Sequence, residues 1–354
     1  MAHIKIATLN INGLSSPTKV AMLAEFIRLQ EIDILLVQEV TKPVLHNING
    51  YNTHYNIGAT MRGTAIITRD SISLENVTRL PSWRAIAAKY QEIWIINIYA
   101  PSGTARKQDR ENFYNNEVPY IIATAGEHIL LGGDFNCILN PTDATGGYNY
   151  SRALQELIQG LAMIDTWQTN TDRRVYTHIS ASGASRLDRI YVTKELISRK
   201  QGVDIAAAAF TDHLAVCLRL SSELPILRTG RGLWKMENDI LTAITGTNKM
   251  QTLWKQLQRQ KRHYPNTTMW WDRCCKTKIK RLFQHEQAER RKEQRMMENH
   301  LYECIYDVLQ RDPSTQNIRP KLNRLKAKIV RLHCMVHCYR AIHIFTSFLY
   351  PVFQ

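Results

Sequence analysis

The sequence predicts an α/β domain of layered sheets and helices, followed by a basic helical appendage. Over residues 1–222, short β-branched runs alternate with helical segments without a strict βαβ order. No glycine follows Gly246, which indicates a change to helical structure. Residues 1–222 carry 21 Lys and Arg against 20 Asp and Glu, whereas residues 223–354 carry 25 against 11. The appendage therefore holds almost all of the net charge of +15, and we place the domain boundary after residue 222.

Eight apolar runs in the first part are predicted strands. They are IKIATLNI (4–11), DILLVQEV (33–40), GTAIITR (63–69), AIAAKY (85–90), IWIINIYA (93–100), HILLGGDF (128–135), RLDRIYV (186–192) and HLAVCLRL (213–220). Helices are predicted over 18–31, 108–125 and 151–163. In the appendage, 266–312 lacks Pro and Gly and predicts one long helix or two in tandem, and another helix is predicted over 320–340.

Composition excludes several protein classes. A hydrophobic content of 44% argues against disorder or collagen over the whole chain. Seven Cys residues form no visible disulfide framework, which favours a reducing compartment. The N-terminus lacks a secretory signal, and the apolar segment 341–354 is shorter than the roughly 20 residues of a membrane span. We expect a nuclear or cytoplasmic protein without a membrane association, and nothing indicates an oligomer.

Polar side chains follow many of the predicted strands, at points where a sheet places them on its rim. These residues are Asn10, Glu39, Tyr99, Asp134, Asn136, Asp188, Asp212 and His213. Carboxylates, amides and a histidine are the groups that metal-assisted phosphodiester hydrolysis requires, because Mg²⁺ prefers oxygen ligands and water needs a base. Taken singly, Asp134 also fits a turn, Asn10 a strand cap and His213 the edge of a core.

Seven motifs together resemble the endonuclease/exonuclease/phosphatase superfamily, which contains DNase I and the apurinic/apyrimidinic endonucleases. They are TLNINGL (8–14), VQEV (37–40), GTAII (63–67), NIYAPS (97–102), GGDFN (132–136), SRLDRIYV (185–192) and TDHLAV (211–216). The nearest resemblance is to the endonuclease domain of LINE-type non-LTR retrotransposons, and RGLWKMEN (231–238) is similar to a segment that follows it. The resemblance implies a four-layer sandwich of two packed, mostly antiparallel sheets flanked by helices.

The resemblance also implies a metal site. Glu39 and Asn10 would hold the divalent ion, which we expect to be Mg²⁺ with Mn²⁺ as an alternative, and Asp212 would lie beside it. Many relatives outside the retrotransposon branch have an aspartate where Asn12 stands. The missing carboxylate leaves open whether one or two ions bind.

The catalytic residues that the resemblance implies are Asp134, Asn136, His213, Asp188 and Tyr99. Asp134 would orient or deprotonate the attacking water, and Tyr99 and Asn136 would contact the phosphate. Asp188 would fix the tautomer of His213 and favour its imidazolium form.

Contacts to DNA are expected from a hairpin at YTHISASGAS (176–185) and from basic side chains around the site. The residues that we assign to phosphate or DNA binding are Ser185, Thr177, Arg62, Arg152 and Arg186, with Arg173 and Arg174 as further candidates. The alternative for the arginines is an ordinary solvated surface.

The appendage has two interpretations. Nine Lys and Arg residues between Arg273 and Arg295, with Trp270 and Trp271 ahead of them, suggest a clamp on DNA or RNA in which the aromatic rings stack on bases. The alternative is a solvated helical linker. A zinc site at His333, Cys334, His337 and Cys338 competes with a structural role, which the spacing within one predicted helix favours.

The sequence contains no Asp-Asp pair of the kind that marks a reverse transcriptase. The protein therefore resembles the nuclease and the beginning of the connecting region, with an end that we expect to be disordered. We predict a divalent-metal-dependent endonuclease that nicks DNA and leaves a 3′-hydroxyl. The alternatives are a phosphoesterase of the same fold acting on inositol phosphates, lipids or RNA, and a non-catalytic protein that binds nucleic acid through its basic tail.

Overall fold

The computed structural model describes residues 3–14, 16–43, 48–58, 62–145, 149–167, 175–180, 183–222, 240, 248–310, 320–329 and 331–332. The described residues fall into two units. The first is drawn from Met1–Thr229 and Cys304–Lys326, and the second from Gly230–Glu303 and Ala327–Gln354. A domain boundary after residue 222 stays a prediction.

In the described residues, the first unit contains two six-stranded sheets and a separate two-stranded hairpin. The strands are β1 His3–Asn10, β2 Ile34–Val40, β3 Tyr51–Asn56, β4 Gly63–Arg69, β5 Glu75–Arg79, β6 Ala85–Tyr90, β7 Ile93–Tyr99, β8 Ile129–Asp134, β9 Ile164–Asp165, β10 His178–Ser180, β11 Gly183–Ser185, β12 Asp188–Val192, β13 Lys200–Ala207 and β14 Leu214–Ser221. The first sheet has the order β13-β14-β1-β2-β4-β3, and the second has the order β5-β6-β7-β8-β12-β9. Each contains one parallel pair, β1 with β2 and β7 with β8, among antiparallel neighbours.

In the first unit, α1 Pro17–Leu29 packs on the outer face of the first sheet, and α3 Val118–Ile122 and α4 Arg152–Gly160 pack on the outer face of the second. The other described α-helices of this unit are α2 Lys107–Asn112 and α5 Lys194–Ile197. The second unit contains α6 Lys249–Gln260, α7 Thr267–Trp270 and most of α8 Lys276–Gln310, and another helical segment covers 320–329. Alternation along the strands sorts apolar side chains between faces: Ile6 of β1 lies in the core between the sheets, whereas Leu9 packs in the core that includes Phe26 of α1. A third core joins the second sheet to Phe113 and Leu154. The four-layer sandwich is thus confirmed.

Most of the long helix that the sequence predicts, as far as Glu303, belongs to the second unit. α7 continues through a π-helical turn, Trp271–Cys275, into α8. The tandem Cys274 and Cys275 are buried in a small core with Leu257 and Trp270. The Trp270 indole nitrogen donates to the Leu257 carbonyl at 3.1 Å, so the prediction that this ring stacks on bases is wrong. Trp271 is 40% exposed.

Across the part of the protein that the structure describes, no helix combines the length and apolar character that a membrane crossing requires. Several sequence-based predictions lie outside the described residues. These are the segment 231–238, the candidate phosphate contacts Arg173 and Arg174, the possible zinc ligands His333, Cys334, His337 and Cys338, and the tail 341–354.

Candidate active site

The topology brings the polar strand ends together. The parallel strands β7 and β8 place Tyr99 opposite Asp134, and the antiparallel pairing of β8 with β12 places Asp188 on the other side of Asp134. In the first sheet, the parallel pairing of β1 with β2 brings Asn10 and Glu39 to the same edge. These edges border a cleft of about 540 Å³, whose lining includes Glu39, Asp134, Asn136, Asp212 and His213.

Asn10 lies between two carboxylates. Its Nδ2 donates to Asp134 Oδ2 at 2.8 Å and to Glu39 Oε1 at 3.2 Å, while its Oδ1 accepts from the backbone nitrogen of Asn12 at 2.9 Å. In this arrangement the amide nitrogen, and not the oxygen, faces the carboxylates. Asn10 therefore positions Glu39 and Asp134 here, and its role as a metal ligand stays a prediction.

Unusual backbone conformations direct the side chains of Glu39, Asp134 and Asn136 toward the cleft. Glu39 has a φ of 62° at an irregularity in the pairing of β2 with β4, and Asn136 has a φ of 49°. Non-glycine residues rarely adopt positive φ values, and such strain concentrates at functional sites. Gly133 has a φ of 149°, and a Cβ there would lie 2.0 Å from the Ile98 carbonyl oxygen. Only glycine fits this position, where β8 approaches β7 directly before Asp134.

Asp134 is almost completely buried and strongly hydrogen-bonded. Asn136 donates to it twice, from its backbone nitrogen to Oδ1 and from Nδ2 to Oδ2, both at 3.0 Å. Burial, followed by repulsion from the Asp188 carboxylate, raises the pKa of Asp134 to about 6, although His213 acts in the opposite direction. A carboxylate with a pKa close to neutrality is suited to accept a proton from water.

Asp188 and His213 form a buried pair in which Asp188 Oδ2 lies 2.8 Å from Nδ1 of His213. Burial alone would lower the pKa of His213, but the nearby carboxylates, Asp188 foremost, raise it to about 9. The ring is therefore an imidazolium at neutral pH. Because His213 lines the cleft, its other ring nitrogen, Nε2, is left to contact a group that binds there.

Tyr99 and Asn136 are the neutral donors beside this cluster. The Tyr99 hydroxyl donates to Glu39 Oε1 at 3.1 Å. Burial and the carboxylates of Glu39 and Asp134 raise the pKa of Tyr99 to about 12, so the hydroxyl keeps its proton. Arg84 lies 5.3 Å from the centre of the Tyr99 ring and donates to the Tyr99 carbonyl at 3.2 Å.

The donor set fits a divalent cation. Glu39 and Asp212 offer carboxylate oxygens to the cleft, and these are the ligands that Mg²⁺ and Mn²⁺ prefer. His178, Asp212 and His213 have side-chain N and O atoms within 4.8 Å of one another, as do Asp134, Asp188 and His213, but the protonated His213 ring cannot act as a ligand, so the carboxylates are the donors for a cation. The contact with His178 is the main cause that holds the pKa of Asp212 well below its usual range. Asp212 is therefore ionised and available to a cation.

Basic side chains approach the cleft from the rim. Arg62 forms an ion pair with Glu39 and donates to Asn12 Oδ1 at 3.1 Å. A cation bound by Glu39 would compete with this guanidinium. Ser185 lines the cleft, and its role in phosphate binding stays a prediction. Arg152 is exposed and pairs with Glu156 one turn along α4, and its role in DNA binding stays a prediction.

Arg186 has a structural role and not the phosphate-binding role that was predicted from the sequence. Its guanidinium is buried and contacts Asp143 Oδ1 at 2.9 Å and Asp165 Oδ2 at 2.7 Å, while Arg189 binds the other oxygen of Asp143 at 3.1 Å. Burial would raise the pKa of Asp143, but Arg189 and Arg186 lower it below its usual value. Arg186 is thus a structural cation and is not placed to contact a phosphate.

We expect Arg186→Ala to lower the free energy of unfolding by about 3–5 kcal/mol, because two buried carboxylates lose a partner. Urea denaturation at neutral pH measures this loss. Arg152→Ala is the control, and because its ion pair lies on the surface we expect no measurable change in unfolding. An Arg186→Ala protein that unfolds like the wild type would contradict the structural role.

Thr177 also has a structural position. Its side chain is fully buried, and its Oγ1 accepts from the backbone nitrogens of Leu187 at 3.0 Å and Asp188 at 2.9 Å. The assignment of Thr177 to phosphate or DNA binding is therefore wrong in this structure. Thr177 fixes the start of β12 and with it the carboxylate of Asp188. The predicted hairpin is confirmed where it is described, since β10 pairs with β11.

Sequence reasoning missed several residues of the site. His178 packs against His213 with ring centres 4.6 Å apart, and Thr211 donates to the Asn10 carbonyl at 2.8 Å. His178 lies in the predicted hairpin 176–185, and Thr211 directly precedes Asp212 in the motif TDHLAV. Their nearness in sequence to predicted site residues could therefore have identified them. Arg84 and Lys19, whose Nζ donates to the Asn12 carbonyl at 3.0 Å, carry no such signal.

The chain is similar in sequence to known proteins. A model of the Endonuclease/Exonuclease/phosphatase family matches residues 7–213. The Transposon TX1 uncharacterized 149 kDa protein of Xenopus laevis is 24% identical over 290 residues, which cover 76% of this chain and 22% of that protein. The chain thus spans about a fifth of the length of this relative.

Solved structures show the same fold. An AP endonuclease from Archaeoglobus fulgidus superposes with a TM-score of 0.55 at 19% identity, covering 62% of this chain and 100% of that one. The 3′ phosphatase NExo from Neisseria, solved with a product DNA hairpin, gives a TM-score of 0.54 at 19% identity and the same coverage.

Proposed function

Because the chain belongs to the Endonuclease/Exonuclease/phosphatase family, we propose that it is a divalent-metal-dependent endonuclease that nicks DNA and leaves a 3′-hydroxyl. One observation carries the proposal: the buried Asp134 carboxylate, held by two amides at 2.8 and 3.0 Å, stands beside the Asp188–His213 pair at an open cleft. A base with a raised pKa and a neighbouring cation are the groups that hydrolysis of a phosphodiester needs.

Glu39 and Asp212 would hold the divalent ion, with Asn10 as a further ligand, and Mg²⁺ is the expected ion, with Mn²⁺ as an alternative. When bound, it supplies Lewis-acid stabilisation of negative charge on the phosphate oxygens. The protein's own residues then account for the remaining requirements of the reaction.

Asp134 accepts a proton from water as the water oxygen forms a bond to phosphorus. The bond between phosphorus and O3′ breaks, and the leaving oxygen takes up a proton from solvent water, which yields a 3′-hydroxyl and a 5′-phosphate. Asn136 and Tyr99 would donate hydrogen bonds to the phosphate oxygens once the Tyr99 hydroxyl exchanges Glu39, and Asn136 Nδ2 exchanges the Ala100 carbonyl, for a phosphate oxygen. The His213 imidazolium stabilises the charge that develops there. Asp188 keeps His213 oriented through Nδ1.

DNA is the substrate that the comparisons favour. The TX1 relative is a transposon protein, and the Neisseria structure holds a DNA product. We propose that the nick serves as the target-site cut of a non-LTR retrotransposon. The exposed basic residues of α8 would add affinity for DNA or RNA through release of counterions.

The test is incubation of the full-length protein with supercoiled plasmid and Mg²⁺. We expect conversion to the nicked circle, and we expect EDTA to abolish it. Inositol phosphates, sphingomyelin and single-stranded RNA, supplied separately under the same conditions, are expected to react far more slowly. Absence of nicked circles, or faster turnover of one of these other substrates, would overturn the proposal.

A further inference from the structure

A lysine that lies outside residues 7–213, the region matched by the family, contacts the turn Thr211–His213 in the candidate active site. The Lys326 Nζ donates to the Thr211 carbonyl oxygen at 2.9 Å, a contact between residues 115 positions apart. Both residues belong to the first unit. Lys326 is half-buried, and burial lowers its pKa while the charge of Asp212 acts in the opposite direction. The ammonium group is thus directed at the turn that carries Asp212.

The helical segment 320–329 presents this lysine from a buried face. Leu322, four residues before Lys326 and on the same side of a helix, is 2% exposed, whereas Lys321 and Arg324 are exposed. A lysine on a solvated face would extend away from the protein. Lys326 instead lies on the same helix face as the buried Leu322. Its hydrogen bond to Thr211 therefore belongs to the face by which the segment packs on the protein.

The turn at Thr211–His213 depends on contacts from several elements. Thr211 Oγ1 donates to the Asn10 carbonyl at 2.8 Å and accepts from the His213 amide at 3.3 Å. The Ile179 amide donates to the Asp212 carbonyl at 3.4 Å. Lys326 adds a charge-assisted hydrogen bond to this turn, and such bonds are stronger than neutral ones.

We propose that Lys326 is a positioning residue of the nuclease site, supplied by a segment that follows the family-matched residues 7–213. It fixes the Thr211 carbonyl and thereby the orientation of Asp212 and His213. This inference rests on the proposed endonuclease function. It means that the region matched by the family does not contain the whole of the site.

The test compares three variants of the full-length protein in plasmid nicking with Mg²⁺. Lys326→Met keeps the apolar stem and removes the charge, and we expect kcat to fall about tenfold with little change in KM for DNA. Lys326→Arg keeps a cationic donor and is expected to recover most of kcat. Lys321→Met, on the exposed side of the same helix, should behave as the wild type.

Hydrogen exchange gives a second measurement that does not require activity. We expect peptides that contain residues 211–213 to exchange faster in Lys326→Met than in Lys321→Met. A Lys326→Met protein with unchanged exchange, or with nicking as fast as or faster than the wild type, would overturn the inference. A wild-type protein that does not nick DNA would instead reject the proposed function, and the exchange result would still decide whether Lys326 positions the turn.

Discussion

Asp134→Asn is expected to reduce the rate of DNA nicking about a thousandfold, because it removes the group that accepts the proton of the attacking water. The side chain keeps its size, but an amide has only one oxygen, so it cannot accept all three hydrogen bonds that Asp134 receives from Asn10 and Asn136. The measurement is the rate of nicked-circle formation at saturating DNA with Mg²⁺.

The same substitution has two opposing effects on the stability of the protein. The pKa of Asp134 is raised to about 6, so loss of the ionised carboxylate favours folding at neutral pH, whereas loss of an acceptor for the buried amides of Asn10 and Asn136 opposes it. Urea unfolding without metal checks that the variant is folded. Asp109→Asn, on the exposed face of α2, is the matched control. Nicking by Asp134→Asn within a few-fold of this control would exclude Asp134 as the base.

Asp188→Asn is expected to lower nicking by about a hundredfold or more. An amide at this position does not stabilise the imidazolium of His213, whose Nδ1 lies 2.8 Å from Asp188 Oδ2. The pKa of His213, about 9 with the carboxylate in place, should fall toward its ordinary value. An NMR titration of the His213 ring in metal-free protein measures this fall beside the nicking rate.

Asp204→Asn is the control for Asp188→Asn, because Asp204 is an exposed carboxylate that pairs with Arg219 on the surface of the first sheet. It should leave both the titration of His213 and the nicking rate unchanged. If Asp188→Asn also left both unchanged, the pair would have no catalytic role.

The sequence predicts the central strands well and the edge strands poorly. All eight predicted strands exist, with ends shifted by no more than two residues. The strands that were not predicted include β3, β5, β9 and β13, which are the outer strands of the two sheets. Outer strands have one unpaired side and tolerate polar residues, as the sequence YNTHYN of β3 shows, so their apolar pattern is weak.

The two corrected site residues have a common cause. Arg186 and Thr177 lie in motifs around the cleft, but their side chains point into the protein, toward buried carboxylates and backbone amides. The identity of a residue as arginine does not show whether its guanidinium binds a phosphate or, like that of Arg186, forms ion pairs with the buried Asp143 and Asp165. By contrast, Asp134 and Asp188 were predictable, because strand ends constrain where a side chain lies. The Lys326 contact, between residues 115 positions apart, leaves no local pattern.

The chemistry of the DNA end at the nick is the decisive measurement for the proposed cleavage. Plasmid nicked by the full-length protein with Mg²⁺ is offered to a DNA polymerase with labelled nucleotides, without prior phosphatase treatment. We predict that label is incorporated at the nick, because cleavage between phosphorus and O3′ leaves a free 3′-hydroxyl. Incorporation only after phosphatase treatment would show that the opposite bond breaks and would contradict the proposed roles of Asp134 and His213.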